Sequence, residues 1–279
     1  DIDSINLATC IVYFDKSFEF GKVIIYVNHM KVAFVFIVKD GEEYLQKNLD
    51  AIKKFNQDIY AVENNSVDNT KNILSHANLK KVISLDLDAK NSLELCNLLH
   101  VNCAKRVRRL AYIRQRGLDA VISSGIAYDY ICMLDMDFIK FDEEGLDDMF
   151  MYMEKHVDVD AIFGMSHNQY GIPYDIGAIA PNDTIIPIML KTKRYVEVDS
   201  AFSGFGIYRY SSIRRVGAKY NYTRINDIEH KYFNSHFDKV LVDTEFNPIY
   251  SPWICPLYMT IGLLIIIAFL LLRYRIVRV

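Results

Sequence analysis

The sequence predicts an α/β fold, a mixed sheet flanked by helices, and three observations carry that expectation. Val32 to Val38 and Tyr130 to Leu134 are unbroken apolar runs of strand length, the pattern of strands covered on both faces. Stretches with apolar residues at helical spacing lie between them. The second run ends in Asp135-Met136-Asp137, two carboxylates at the strand end where open α/β sheets gather their ligands. Strand, helix, strand, helix, strand in that order points to a largely parallel arrangement.

The first strand is Val32 to Val38. Asp40-Gly41-Glu42-Glu43 follows, with Asp40 expected as an N-cap and Glu43 as its reciprocal partner in a capping box. The helix then runs to about Phe55, with Leu45, Leu49 and Ile52 facing inward. Ile59-Tyr60-Ala61-Val62 is the next strand. It runs into Glu63-Asn64-Asn65-Ser66-Val67-Asp68-Asn69-Thr70, a segment rich in turn and cap residues. That segment reads either as a turn capped by Ser66 or Asp68, or as a ligand loop in which Glu63 bonds a ribose hydroxyl or a base.

A helix from about Arg106 carries Val107, Leu110, Ala111, Leu118, Val121 and Ile122 on one face, with Arg114 in the middle of that stripe. Arg106, Arg108, Arg109 and Arg116 fall outside it and are expected to be solvated. An inward arginine stays charged and needs an anionic partner. Either Asp135 or Asp137 supplies it, or a diphosphate bound beside them does. Burying a carboxylate is costly unless it is paired or metal-bound. Two hard oxygen ligands suit Mg²⁺ or Mn²⁺, with substrate phosphates completing the shell. The plainer alternative is a strand followed by a solvated turn.

Together these segments resemble glycosyltransferases of the GT-A fold, particularly those similar to the large family 2. Glu63 to Thr70 is similar to that family's D-x-S-x-D-x-T nucleotide loop, with Glu63 where Asp is more usual. Ala111 to Leu118 is similar to its A-R-N-x-G-L helix, and Tyr130 to Asp137 to its Y-I-x-x-L-D-x-D strand. The resemblance covers roughly residues 31–140. Ser203 to Tyr208 followed by Asp227-Ile228-Glu229-His230 suggests a second likeness, to capsule-type and large-virus glycosyltransferases. These resemblances imply a nucleotide-diphospho-sugar transferase fold and hexosyl transfer to a glycan or lipid-linked acceptor. Glu63 and Asp68 would contact the nucleoside, and Arg114 would lie near the diphosphate or ribose. Asp135 would touch the ribose or the metal, Asp137 would bind Mn²⁺ or Mg²⁺ directly, and His230 would be a further ligand. Glu229 or Asp227 would deprotonate the acceptor hydroxyl, and Asp199 is a further catalytic candidate. The segment holding Asp199 contains Gly204 and Gly206, which permit either close approach to a ligand or a sharp bend.

Composition bounds the remainder. A formal charge of −3 gives no electrostatic case for nucleic acid as a main partner. The 5 cysteines form no C-x-x-C pair, so neither a zinc site nor a disulfide framework is expected, which fits a reducing compartment. Residues 1–29 form an aromatic, β-prone extension outside the resemblance, and residues 30–250 form the catalytic domain. Ile254 to Leu272 is a charge-free run of 19 residues, followed by Arg273, Arg275 and Arg278, which predicts a transmembrane helix. Trp253, Tyr258 and Tyr274 would anchor its ends. The terminal arginines favour the cytoplasm and would place the domain outside. No amino-terminal signal is present to export it, so a single-pass tail anchor with a cytosolic domain is the simpler expectation. Two rival readings are a sugar-nucleotide pyrophosphorylase and a non-catalytic membrane scaffold. The first calls for a basic, Gly-rich loop after the first strand, where this chain has Val38-Lys39-Asp40-Gly41-Glu42-Glu43.

Overall fold

The computed structural model describes residues 30–87, 104–171, 173–221 and 228–250. The expected extension at 1–29, the apolar run at 254–272 and Asp227 lie outside the described residues. Among those that are described, no helix is long and apolar enough to cross a membrane.

Among the described residues eleven strands form two sheets. They are β1 (Val32–Val38), β2 (Asp58–Asn64), β3 (Lys81–Leu85), β4 (Tyr130–Asp135), β5 (Phe138–Lys140), β6 (Ala161–Gly164), β7 (His167–Asn168), β8 (Tyr195–Val198), β9 (Phe205–Arg209), β10 (Val240–Asp243) and β11 (Ile249–Tyr250). The main sheet has the order β3-β2-β1-β4-β9-β6-β10-β8, and β5-β11-β7 form a small second sheet. β3, β2, β1 and β4 are mutually parallel, whereas β9 runs antiparallel between β4 and β6. The helices are α1 (Leu45–Lys53), α2 (Thr70–His76), α3 (Ala104–Ser123), α4 (Glu143–Lys155), α5 (Ile185–Met189), α6 (Tyr210–Val216) and α7 (Glu229–Asn234).

The two apolar runs are the sheet's centre because both of their faces are covered. Ala33, Val35, Ile131 and Met133 join the core under Ala111, Leu118 and Val121 of α3. Phe34 and Phe36 lie on the opposite face, also fully buried, and the Phe34 ring meets Phe55 just beyond α1. Gly117 brings α3 against the sheet: a Cβ there would lie 2.7 Å from Val35 Cγ1.

The chain passes from β1 outward to β2 and β3, then returns to the other side of β1 as β4. That reversal opens a crevice at the carboxyl ends of β1 and β4, the position where such sheets bind ligands. In the strand register Ile37 of β1 stands opposite Asp135, the last residue of β4. The D-x-D pair therefore lies at the switch point.

Two local expectations are corrected. The capping box does not form: α1 begins at Leu45, with Tyr44 at the N-cap and no side-chain cap. Asp40 adopts a left-handed conformation (φ 49°) and turns its carboxylate to another loop. Arg109 is half-buried and not solvated, and its Nη2 donates to Asn65 Oδ1 at 2.9 Å.

Candidate active site

The loops after β1 and β2 are laced together by their own acidic and hydroxyl side chains. Asp40 N donates to Ser66 Oγ (3.0 Å), Gly41 N to Thr70 Oγ1 (2.7 Å) and Glu42 N to Asp68 Oδ2 (2.8 Å). In return Val67 N donates to Asp40 Oδ1 (2.9 Å) and Asn69 N to Glu42 Oε2 (3.1 Å). Glu63 is 1% exposed, and its carboxylate accepts from Ser66 N and from the Ser84 hydroxyl. The geometry gives Glu63 and Asp68 a part in shaping this loop. Tyr44 lies where these loops meet the D-x-D turn. Burial, followed by the fields of Asp137, Asp68, Asp135 and Asp40, pushes its phenol up to about 12.

The D-x-D turn is held from three sides. Asn48, buried on the inward face of α1, donates through Nδ2 to Met136 O (2.6 Å) and Phe138 O (2.7 Å), the carbonyls on either side of Asp137. Asp135 N donates to Gly204 O at 2.8 Å, and the Tyr250 hydroxyl donates to that same carbonyl at 2.7 Å. Gly204 has φ +80°, and a Cβ there would lie 2.5 Å from the Tyr250 ring. Gly206 is similarly pressed against Phe163. The two glycines thus admit aromatic rings. Tyr174 stacks on Tyr250 with ring centroids 4.5 Å apart and lies near enough to Asp137 to favour its charged form. Burial and then repulsion from Asp135 push the Asp137 carboxyl up to about 7, against the weaker pull of Tyr174 and Arg114.

Arg114 is 5% exposed, as its phase on the helix predicts, while Arg116 is exposed. Its Nη2 donates to Asp135 Oδ1 (2.9 Å) and its Nε to Glu229 Oε1 (3.1 Å). Burial works against the guanidinium's charge, but Asp135 and then Glu229 outweigh it and hold the group above its ordinary value. Its guanidinium carbon lies 4.7 Å from the centroid of Phe202.

His230 stacks on Phe202 as well, 3.6 Å between centroids, and is 1% exposed. It is not gathered with Asp135 and Asp137. Among the described residues no three His, Cys, Asp or Glu side chains converge on one metal position. The ring packs among aromatic side chains, with Nδ1 3.4 Å from the Tyr220 hydroxyl and a buried Nε2 that makes no hydrogen bond among the described residues and stands 3.7 Å from Glu229 Oε1. Asp199 is exposed at the end of β8, where its N–H bonds Ala180 O, and no contact among the described residues joins it to the Arg114 cluster. Of the expected site residues, Arg114, Asp135, Asp137 and Glu229 come together, and His230 adjoins them through Glu229. Asn48, Tyr44, Tyr174, Phe202 and Tyr250 belong with them, although each reads in the sequence as an ordinary helix, turn or core residue.

Burial, and then Arg114, lower the His230 pKa well below 6.5, so the ring is neutral in the folded chain. The unfolded chain binds one more proton as pH falls through its ordinary value. Stability is therefore lost on acidification, by up to ~1.4 kcal/mol per pH unit. His230→Phe keeps the stack and is expected to remove that slope. Urea unfolding of both chains between about pH 7 and pH 5 checks it.

No protein-family model and no curated protein sequence matches the chain. Solved structures do. Glucosyl-3-phosphoglycerate synthase from Mycobacterium tuberculosis, in complex with Mn²⁺ and UDP-glucose, is similar at TM-score 0.50 and 10% identity, over 83% of this chain and 74% of that one. Its complex with phosphoglyceric acid gives 0.48 at 11% identity, over 81% and 74%. Its complex with Mn²⁺, UDP and glucosyl-3-phosphoglycerate gives 0.38 at 10%, over 67% and only 60%. At such identity a likeness speaks to architecture alone: this chain has the GT-A fold that its motifs imply.

Proposed function

We propose that the chain is a metal-dependent glycosyltransferase that moves a sugar from a nucleoside-diphosphate sugar to a hydroxyl of a glycan or lipid-linked acceptor. One observation carries the reading: a carboxylate pair, Asp135 and Asp137, at the switch point of a GT-A sheet, with a buried arginine tied to the first of the two. The raised Asp137 carboxyl marks a pair whose mutual repulsion a divalent cation would relieve. Two carboxylate donors suit Mg²⁺ or Mn²⁺ that completes its shell with substrate phosphates and water. Asp137 would hold the metal directly, with Asp135 beside it. When bound, the ion offsets charge on the departing nucleoside diphosphate.

The chain's own groups do the rest. Arg114, oriented by Glu229 and Phe202, sets a fixed positive charge beside Asp135, where a diphosphate would lie. Asn48 and the Tyr174–Tyr250 pair keep the turn in one geometry, so little reorganisation accompanies charge development. Glu229 remains a candidate to receive the acceptor proton, with Asp227 close to it in sequence and Asp199 as a third. Its bond to Arg114 favours a positioning role. The pyrophosphorylase reading is disfavoured because the N–H groups of Asp40, Gly41 and Glu42 are already taken by Ser66, Thr70 and Asp68, leaving no backbone cradle for phosphate in that loop. We further infer that residues 254–272 anchor a cytosol-facing domain in a membrane.

The full chain, screened against nucleotide sugars by thermal unfolding, is expected to be stabilised by one donor class only when Mn²⁺ is present. A donor at about 100 times its Kd adds ~2.7 kcal/mol by mass action. UDP-hexoses come first in that screen. A scaffold would show neither that shift nor slow metal-dependent hydrolysis of any donor, and that result would defeat the proposal.

A further inference from the structure

Helix α5 is apolar on both of its faces. Ile188 is buried in the core and Ile185 packs against it, which fixes the helix to the domain. Ile186, Met189 and Leu190 stand at i, i+3 and i+4 on the other face, exposed by 66%, 50% and 70%. Single exposed apolar residues are ordinary, but three neighbours on one helix face form a patch that no partner covers among the described residues. Exposed Lys191 and Lys193 follow directly, whereas the exposed acids nearest in sequence, Asp183 and Glu197, stand further off along the chain. Lys191 takes a left-handed conformation (φ 49°) that ends the helix.

The segment bearing this patch is rooted beside the candidate site. Its two ends are tied together by the Ala180–Ser200 bridge, and its second half joins the main sheet as β8 against β10. Phe202, against Arg114, lies two residues past the bridge; Tyr174, stacked on Tyr250, lies six before it. Tyr250 is also where the described chain ends, and residues 251–253 alone separate it from the charge-free run that begins at Ile254. Four residue steps span at most ~14 Å even when fully extended. If that run enters a bilayer, the Tyr250 end of the site is tethered close to the lipid surface.

We propose that Ile186, Met189 and Leu190 rest in the headgroup layer of an anionic bilayer, with Lys191 and Lys193 against lipid phosphates. The site would then meet acceptor hydroxyls held at headgroup level. The proposal rests on the membrane-anchor reading of residues 254–272 but not on the transfer reaction. Apolar side chains entering the acyl boundary beside basic ones are the pattern of interfacial segments.

The chain's single tryptophan makes a direct test possible. In a Trp253→Phe background of the full chain, Leu190→Trp reports on the patch. Val157→Trp, at a position 78% exposed just before β6, reports on the opposite end of the sheet, because β6 runs in the direction of β4. Each chain is reconstituted into phosphatidylcholine vesicles with and without phosphatidylglycerol, both containing brominated lipid. Leu190→Trp fluorescence is expected to fall by about twofold or more in the anionic vesicles and less in the zwitterionic ones, with Val157→Trp unquenched in both. Equal, negligible quenching at the two positions in chains that float with the vesicles would overturn the proposal while leaving the anchor standing. So would a detergent-soluble dimer in which the Leu190→Trp emission is already buried. Failure of the chain to float would overturn the anchor and the proposal with it. None of these outcomes depends on donor turnover.

Discussion

Asp137→Ala is expected to lower transfer by roughly 10³-fold or more while leaving the fold intact. A metal ion at developing charge is worth several kcal/mol, and each ~1.4 kcal/mol is a factor of ten in rate. Asp137 lies in the turn after β4, where its backbone surroundings are held by Asn48 and not by its own carboxylate. Burial and Asp135 repulsion disfavour that charge in the absence of metal, so its removal should not reduce metal-free stability. Donor turnover, Mn²⁺ titration by electron paramagnetic resonance and thermal unfolding separate these effects. Full activity of Asp137→Ala in EDTA-treated enzyme would remove the D-x-D pair from the reaction.

Arg114→Ala is expected to weaken donor binding far more than Arg116→Ala, and to destabilise the chain as well. Loss of the guanidinium leaves Glu229, 4% exposed, and Asp135 without their cation. Breaking a buried pair in this way costs about 3–5 kcal/mol. Arg116 is exposed, and its truncation should fall within about 0.5 kcal/mol. Arg114→Lys keeps a charge but not the planar fork that reaches both carboxylates, so it should fold better than Arg114→Ala and still bind donor poorly. Calorimetric titration of the three chains with UDP and Mn²⁺ checks the order. Equal affinities for Arg114→Lys and Arg116→Ala would place the diphosphate elsewhere.

The elements legible in the sequence were those whose environment imposes a local pattern. β1 and β4 are covered on both faces, so they are written as continuous apolar runs. Arg114 and Arg116 differ by two positions on a helix of 3.6 residues per turn, which suffices to send one inward and the other to water. The carboxylates of Asp135 and Asp137 stand at a strand end because a buried strand leaves them nowhere else to go.

Contacts between distant segments left no such pattern. Asp40 and Glu43 have the spacing of a local capping box, yet Asp40 and its neighbour Glu42 serve N–H groups of Val67 and Asn69, because a short acidic side chain accepts from whichever free donor the fold brings near. Glu63 became an internal brace when β3 brought Ser84 beside it. His230 looked like a ligand by residue type, but stacking on Phe202 in a buried site made it a neutral core group. The antiparallel insertion of β9 between β4 and β6 brings Gly204 to Asp135, and it is a matter of pairing order, on which hydrophobic periodicity is silent. By itself, then, the sequence determined which residues are inward and where the strands end, since burial acts on each segment separately. Only the tertiary structure decided which carboxylate, arginine and ring share a site, because those pairings depend on segments up to 115 residues apart being folded against one another.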